Sequence, residues 1–171
     1  MLLNILTFLY LIPAPPQVDN VVTIPLPLPQ VVVMPQDERL YDEFWGDAYR
    51  VAMEMGIEPD EVEELHRVTA YNPVPRQTEG NPNISSCGPN QPQQIALSRD
   101  MFFDANGHKH LCGRTATLII VEDGEVIEVT ERVIYDTMAA RFTKTADIYM
   151  PTTDESLAYA WGVKQALIYI D

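Results

Sequence analysis

Residues 115–134 read TATLIIVEDGEVIEVTERVI. Thr115 to Val121 and Glu125 to Ile134 are β-branched runs, and the Glu122-Asp123-Gly124 stretch between them carries the Asp-Gly pair of a tight hairpin turn. Outward from this hairpin the pattern stays short-stranded. Val68-Thr69-Ala70-Tyr71 predicts a strand stopped by Asn72-Pro73, and Gln77 to Pro92, rich in Asn, Gly, Pro and Ser, predicts a long loop. Asp154 to Trp161 predicts a short helix capped by Asp or Thr and stopped by Gly162, and Val163 to Ile170 predicts a terminal strand. Several short strands with one or two small helices predict a mainly β fold closed as a barrel.

Upstream the chain changes character twice. Met1 to Ala14 is an apolar stretch of signal-peptide length ending in a small residue, but no Lys or Arg precedes Arg39 and Pro15 follows Ala14 directly. It reads either as an export signal or uncleaved anchor, or as an ordered, tethered N-terminal strand. Seven of the 14 prolines lie between residues 13 and 36, and Pro25-Leu26-Pro27-Leu28-Pro29 favours extended polyproline II, a semi-rigid linker. Val31-Val32-Val33 reads alternatively as an edge strand. From Asp37 to Gly56, Leu40, Phe44, Trp45, Ala48, Val51, Ala52 and Met55 recur at helical spacing, with Gly56 suited to the C′ position. A second short acidic helix is expected from Pro59 to His66. The organisation is thus a signal-like or anchoring leader with Pro-rich linker (1–36), an acidic helical segment (37–66) and a β domain (67–171).

The chain has 171 residues and a formal charge of −14, which speaks against a nucleic-acid partner because phosphate binding needs a basic face. Residues 37–64 hold 11 acidic side chains against Arg39 and Arg50, whereas residues 65–171 hold 13 acidic against 9 basic. The acidity therefore belongs mostly to the helical segment. No apolar run reaches the roughly 20 residues of a spanning helix. The leader leaves membrane association open, and the expected location is secreted or cell envelope, with a monomer expected.

The β domain resembles a known superfamily through seven ordered stretches. Asn83-Ile84-Ser85-Ser86-Cys87-Gly88, Ile95 to Phe102 and Leu111-Cys112-Gly113 are similar to the double-psi β-barrel of expansins and barwin-like proteins. Val133 to Arg141, Ala146-Asp147-Ile148-Tyr149-Met150 and Ala158 to Gly162 resemble the three-aspartate (3D) domain shared with rare lipoprotein A and the lytic transglycosylase A group. The opening Val68 to Pro73 fits 3D-type proteins too. Met138 and Ala139 stand where the usual pattern has glycines. The resemblance implies a six-stranded double-psi β-barrel over residues 67–171.

It also implies a chemistry. In catalytic members an aspartate at the Asp136 position acts as acid and base, and Asp147 supplies a second charge or orients the sugar. Hydrolytic glycosidases use two carboxyl groups; a lytic transglycosylase needs one, which protonates the glycosidic oxygen and then accepts the proton of the muramic acid 6-hydroxyl as the 1,6-anhydro ring closes. Such a carboxyl needs a raised pKa. Arg141, Tyr71, Thr69 and Asp100 are the candidate substrate-binding residues, with structural alternatives for three of them: ion pairing for Arg141, barrel packing for Tyr71, loop anchoring for Asp100. The aspartates have structural alternatives too, a turn or ion pair for Asp136 and a turn capped by its own side chain for Asp147. A tight Arg141–Asp136 pair would argue against an acid role.

Cys87 and Cys112 are the only cysteines. In an exported chain they most simply form one disulfide, as the Gly-followed cysteines of expansin-like domains do; free buried thiols are the alternative. His108, His110 and Cys112 alternate but lack a fourth ligand at recognisable spacing, so neither a metal nor a cofactor is expected. The expected function is peptidoglycan glycan-strand cleavage by a single-aspartate lytic transglycosylase route. The alternatives are a non-catalytic expansin-like polysaccharide-binding or wall-loosening module, and a structural or interaction protein.

Overall fold

The computed structural model describes residues 44–171. The leader, the Pro-rich linker and the first turns expected of the acidic helix lie outside the described residues. In chain order the elements are α1 (Gly46–Glu54), a 3₁₀ turn (Pro59–Glu61), β1 (Val62–Tyr71), β2 (Ile84–Ser85), β3 (Gly88–Pro89), β4 (Gln94–Leu97), α2 (Arg99–Phe102), β5 (Thr115–Glu122), β6 (Glu125–Thr137), β7 (Thr145–Tyr149), α3 (Glu155–Trp161) and β8 (Lys164–Ile170).

Six strands close into a barrel in the order β1-β7-β4-β6-β5-β8, and β2 and β3 form a separate small hairpin. The β1–β7 and β4–β6 pairs are parallel, and the other four are antiparallel. This closed, six-stranded mixed barrel is compatible with a double-psi barrel. Closure removes the exposed edges that an open sheet of this size would leave.

The barrel interior is filled by alternate residues of the strands, among them Leu65, Val68, Ile95, Leu97, Leu118, Ile120, Ile134, Ile148 and Ile168. A second apolar layer lies outside. Trp45, Ala48, Ala52 and Ile57 cover Ile119 and Val121 of β5 and Leu167 of β8. Strand β5 is consequently buried on both faces, which is why its sequence is a continuous apolar run rather than an alternation.

The central hairpin forms as expected. Asp123 and Gly124 both adopt positive φ, at 53° and 84°, the conformation that a primed two-residue turn requires and that Asp-Gly tolerates. Helix α1 ends at Glu54 and Gly56 follows with φ 80°, as its proposed stop demands. Helix α3 is capped by Asp154, whose side chain accepts from the Ser156 backbone at 3.1 Å.

One expectation is corrected. The second acidic helix, Pro59 to His66, is a single 3₁₀ turn over Pro59–Glu61, closed by the Glu58 N–H donating to Glu61 Oε2 at 2.9 Å. Strand β1 then starts at Val62, six residues earlier than Val68. Its first half pairs antiparallel with β8, Val62 opposite Tyr169 and Leu65 opposite Ala166. A helix of eight residues is marginal alone, whereas the ladder satisfies the same backbone groups and buries Leu65 completely.

Candidate functional site

The site begins with strand register. Four neighbouring strands place Thr69 (β1), Asp147 (β7), Ala96 (β4) and Asp136 (β6) in one row: Thr69 opposes Asp147, and Ala96 opposes both Asp147 and Asp136. Ala146 and Ile148 point into the barrel core, so Asp147 between them must point out. Ile95 and Leu97 impose the same on Ala96. The two aspartates thus lie one strand apart on either side of a methyl group, with backbones roughly 10 Å apart at ordinary strand spacing. Ala96 fills little of the space between them.

This row lies in an open cleft of about 940 Å³ on the outer face of the barrel, lined by Thr69, Tyr71, Asp136, Arg141 and Asp147 among others. Its apolar floor is formed by Tyr71, Ala96 and Met138, with Phe142 beside them and Tyr149 packed in the same buried cluster. Met138, where the 3D pattern has glycine, is therefore part of the floor. One rim is the β1–β2 connection, the other α3; Arg76 pairs with Glu155 and Gln77 Nε2 donates to the same carboxylate at 2.9 Å, joining the rims.

The two carboxylates have different surroundings. Asp136 Oδ1 accepts from the backbone N–H groups of Ser86 and Thr137, both at 2.8 Å, and Oδ2 accepts from the Tyr71 hydroxyl at 3.4 Å. Asp147 Oδ1 accepts from the Thr69 hydroxyl at 2.8 Å. Burial pushes the Asp147 carboxyl up to about 6 from an ordinary 3.8; the Thr69 hydrogen bond and the Arg67 charge oppose this, and the negative charge of Asp136 adds to it. The carboxyl poised near neutral pH is thus Asp147. Burial and the Asp136 charge raise the Tyr71 hydroxyl far above its usual value, so it stays protonated and donates.

A disulfide between Cys87 and Cys112, with Cα atoms 5.8 Å apart, anchors the Ser86 donor. The Cys87 N–H donates to Tyr135 O at 3.1 Å and the Gly113 N–H to Ile134 O at 2.8 Å. Both ends of the cross-link thereby sit on β6 immediately before Asp136. With its sulfur in the disulfide, Cys112 is not available beside His108 and His110 as a thiolate ligand, and among the described residues no His, Cys, Asp and Glu cluster is arranged to hold a metal.

The cleft brings together five of the expected site residues, Thr69, Tyr71, Asp136, Arg141 and Asp147. Asp100 lies elsewhere. It sits in α2, exposed, and its Oδ2 accepts from the Lys144 N–H at 3.0 Å, where Lys144 adopts a positive φ of 46°. Arg141 does not close over Asp136; its guanidinium lies 4.5 Å from the centre of the Phe142 ring. Gln94 was not foreseen: fully buried, it donates to the Tyr71 oxygen at 2.9 Å and so aims the hydroxyl proton at Asp136. Its signal was a polar residue opening an otherwise apolar strand, Gln94-Ile95-Ala96-Leu97. The Ser86 donor is a backbone group and leaves no signature in sequence.

No described helix is long and apolar enough to cross a membrane, and the disulfide is consistent with an extracellular location. Comparisons of the chain with protein families, with curated proteins and with solved structures found no match.

Proposed function

We propose that the protein is a cell-envelope enzyme with a 3D-type double-psi barrel, and that it cleaves peptidoglycan glycan strands by intramolecular transglycosylation. The observation that carries this reading is the Asp147 carboxyl, raised to about 6 by burial and facing an open cleft across Ala96 from Asp136. A group of that pKa is both an adequate acid and an adequate base at near-neutral pH.

In the proposed reaction Asp147 donates its proton to the glycosidic oxygen as the C1–O bond breaks. Positive charge develops at C1 and the ring oxygen, and the nearby negative charge of Asp136 stabilises it. The muramoyl 6-hydroxyl then bonds to C1 and returns its proton to Asp147, giving a 1,6-anhydro end without water. The backbone N–H groups of Ser86 and Thr137 and the Tyr71 hydroxyl hold Asp136 still during the step. The acid assignment moves from Asp136 to Asp147 because desolvation favours the protonated form there.

Incubation of the full-length protein with purified sacculi is expected to release 1,6-anhydro-muropeptides, and Asp147→Asn is expected to lower the rate at least a hundredfold. Unchanged sacculi, or full activity in Asp147→Asn, would overturn the proposal. Binding to sacculi without released product would instead identify a non-catalytic wall-binding module.

A further inference from the structure

Three arginines of the cleft lining, Arg67, Arg99 and Arg141, stand outside any ion pair among the described residues. Arg67 opposes Thr145 in the β1–β7 pair. The Ser98 N–H donates to Thr145 O at 2.9 Å, which sets the next residue, Arg99, beside the same position. Arg99 Nε donates to Met138 O at 3.3 Å, and Met138 Sδ accepts from the Thr145 hydroxyl at 3.2 Å. Arg141 follows in the turn closed by the Phe142 N–H on Ala139 O. All three side chains line the cleft and are exposed.

None of the three forms an ion pair among the described residues, whereas Arg50, Arg76, Arg132, Lys144 and Lys164 all do. Of the acids around them, Glu63 pairs with Lys144 Nζ at 3.6 Å and Asp100 accepts from the Lys144 backbone, while Asp147 feels the Arg67 charge without forming an ion pair with it. The cleft therefore carries guanidinium charge that no carboxylate of the described residues meets at ion-pair distance, and an incoming anion can engage it. Planar guanidinium forks match carboxylates in a bidentate manner, which an ammonium cannot do.

We infer that Arg67, Arg99 and Arg141 form a carboxylate subsite, which makes the cleft selective for carboxylate-bearing glycan over neutral glycan. The inference rests on the proposed glycan-cleaving function and names the feature of the substrate that the cleft reads. That carboxylate has two sources in peptidoglycan: the stem peptide where one is attached, and the lactyl group where the stem has been removed and its carboxyl is free.

The test is calorimetric titration of the full-length protein with a peptidoglycan tetrasaccharide bearing stem peptides, with the same tetrasaccharide stripped of peptide, and with neutral chitotetraose. The wild-type protein is expected to bind at least one carboxylated ligand about tenfold or more tighter than chitotetraose, with a preference that shrinks severalfold from low to high salt. In the Arg99→Gln/Arg141→Gln double variant the preference is expected to fall below about threefold. Because the lactyl carboxyl is amidated while the stem is attached and free once it is stripped, a preference for the peptide-bearing ligand alone locates the carboxylate on the stem, a preference for the stripped ligand alone locates it on the lactyl group, and a preference for both shows that either is read. Equal wild-type affinities for charged and neutral ligands, or a preference unchanged in the double variant, would overturn the subsite. Should the double variant not fold, the wild-type ratio and its salt dependence decide alone. Selective binding without anhydro product retires the transglycosylase reading and leaves the subsite standing. Anhydro product formed with no charge preference retires only the subsite.

Discussion

Asp147 is where local chemistry and stability meet. Its pKa in the fold, about 6, exceeds its ordinary 3.8, so the folded state holds a proton that the unfolded chain releases. Below pH 4 both states are protonated and nothing is lost. As pH rises from about 4 to about 6 the unfolded state ionises first, and the fold loses about 3 kcal/mol. Asp147→Asn keeps an acceptor for Thr69 and abolishes this slope. The variant should be more stable than wild type at pH 7 by up to that amount and no more stable at pH 3, measured by urea unfolding at both pH values. The same titration predicts activity: cleavage should fall about tenfold per pH unit above pH 6, because the donating form of the carboxyl is lost. Tyr71 and Gln94 act one step further out. Gln94→Leu should leave the buried Tyr71 oxygen without its donor and cost about 1–3 kcal/mol of stability, readable in the same unfolding experiment. The aspartates were legible in sequence as candidates through their resemblance to a known pattern. That Asp147 is desolvated was not, because desolvation depends on what covers a side chain rather than on its neighbours in the chain.

At the scale of elements, the hairpin at Asp123-Gly124 was readable because turn chemistry is local: two positive φ values are tolerated by that dipeptide and by few others. The segment Pro59 to His66 was misread for the opposite reason. Its acidic residues and proline suit a helix start, but β8 offers a ladder partner that no local signal announces. The disulfide between Cys87 and Cys112 ties two loops to β6 beside Asp136. With its ends 25 positions apart in sequence, its removal should destabilise the fold by about 3 kcal/mol on loop-closure grounds. The paired Cys87→Ser/Cys112→Ser variant should accordingly show a lower urea midpoint. Glycan cleavage, measured where the variant is still folded, should fall as well, since the Ser86 donor on Asp136 is no longer pinned.

At the scale of the whole molecule, α1 is part of the barrel's outer layer and not an independent spacer. Trp45, Ala48, Ala52 and Ile57 are buried against Ile119, Val121 and Leu167. A chain beginning at Val62 would expose those three residues to water, and loss of a buried Trp alone commonly costs about 3–5 kcal/mol. Such a chain should melt well below one beginning at Asp37 and bind a hydrophobic dye, whereas the latter should not; calorimetry of the two chains' unfolding makes the comparison. By itself the sequence determined the mainly β character, the central hairpin, α3 with an Asp or Thr cap, the amphipathic face of α1 and the residue types capable of acid–base work. These follow from periodicity, turn conformation and side-chain chemistry, all of which act over a few residues. Only the tertiary structure decided that β1 switches partners from β8 to β7, that Ala96 separates the two aspartates, that Asp100 lies away from the cleft, and that three arginines outside any ion pair line it. Each of these depends on strands distant in the chain lying side by side, and barrel closure sets that register through burial of one face of every strand.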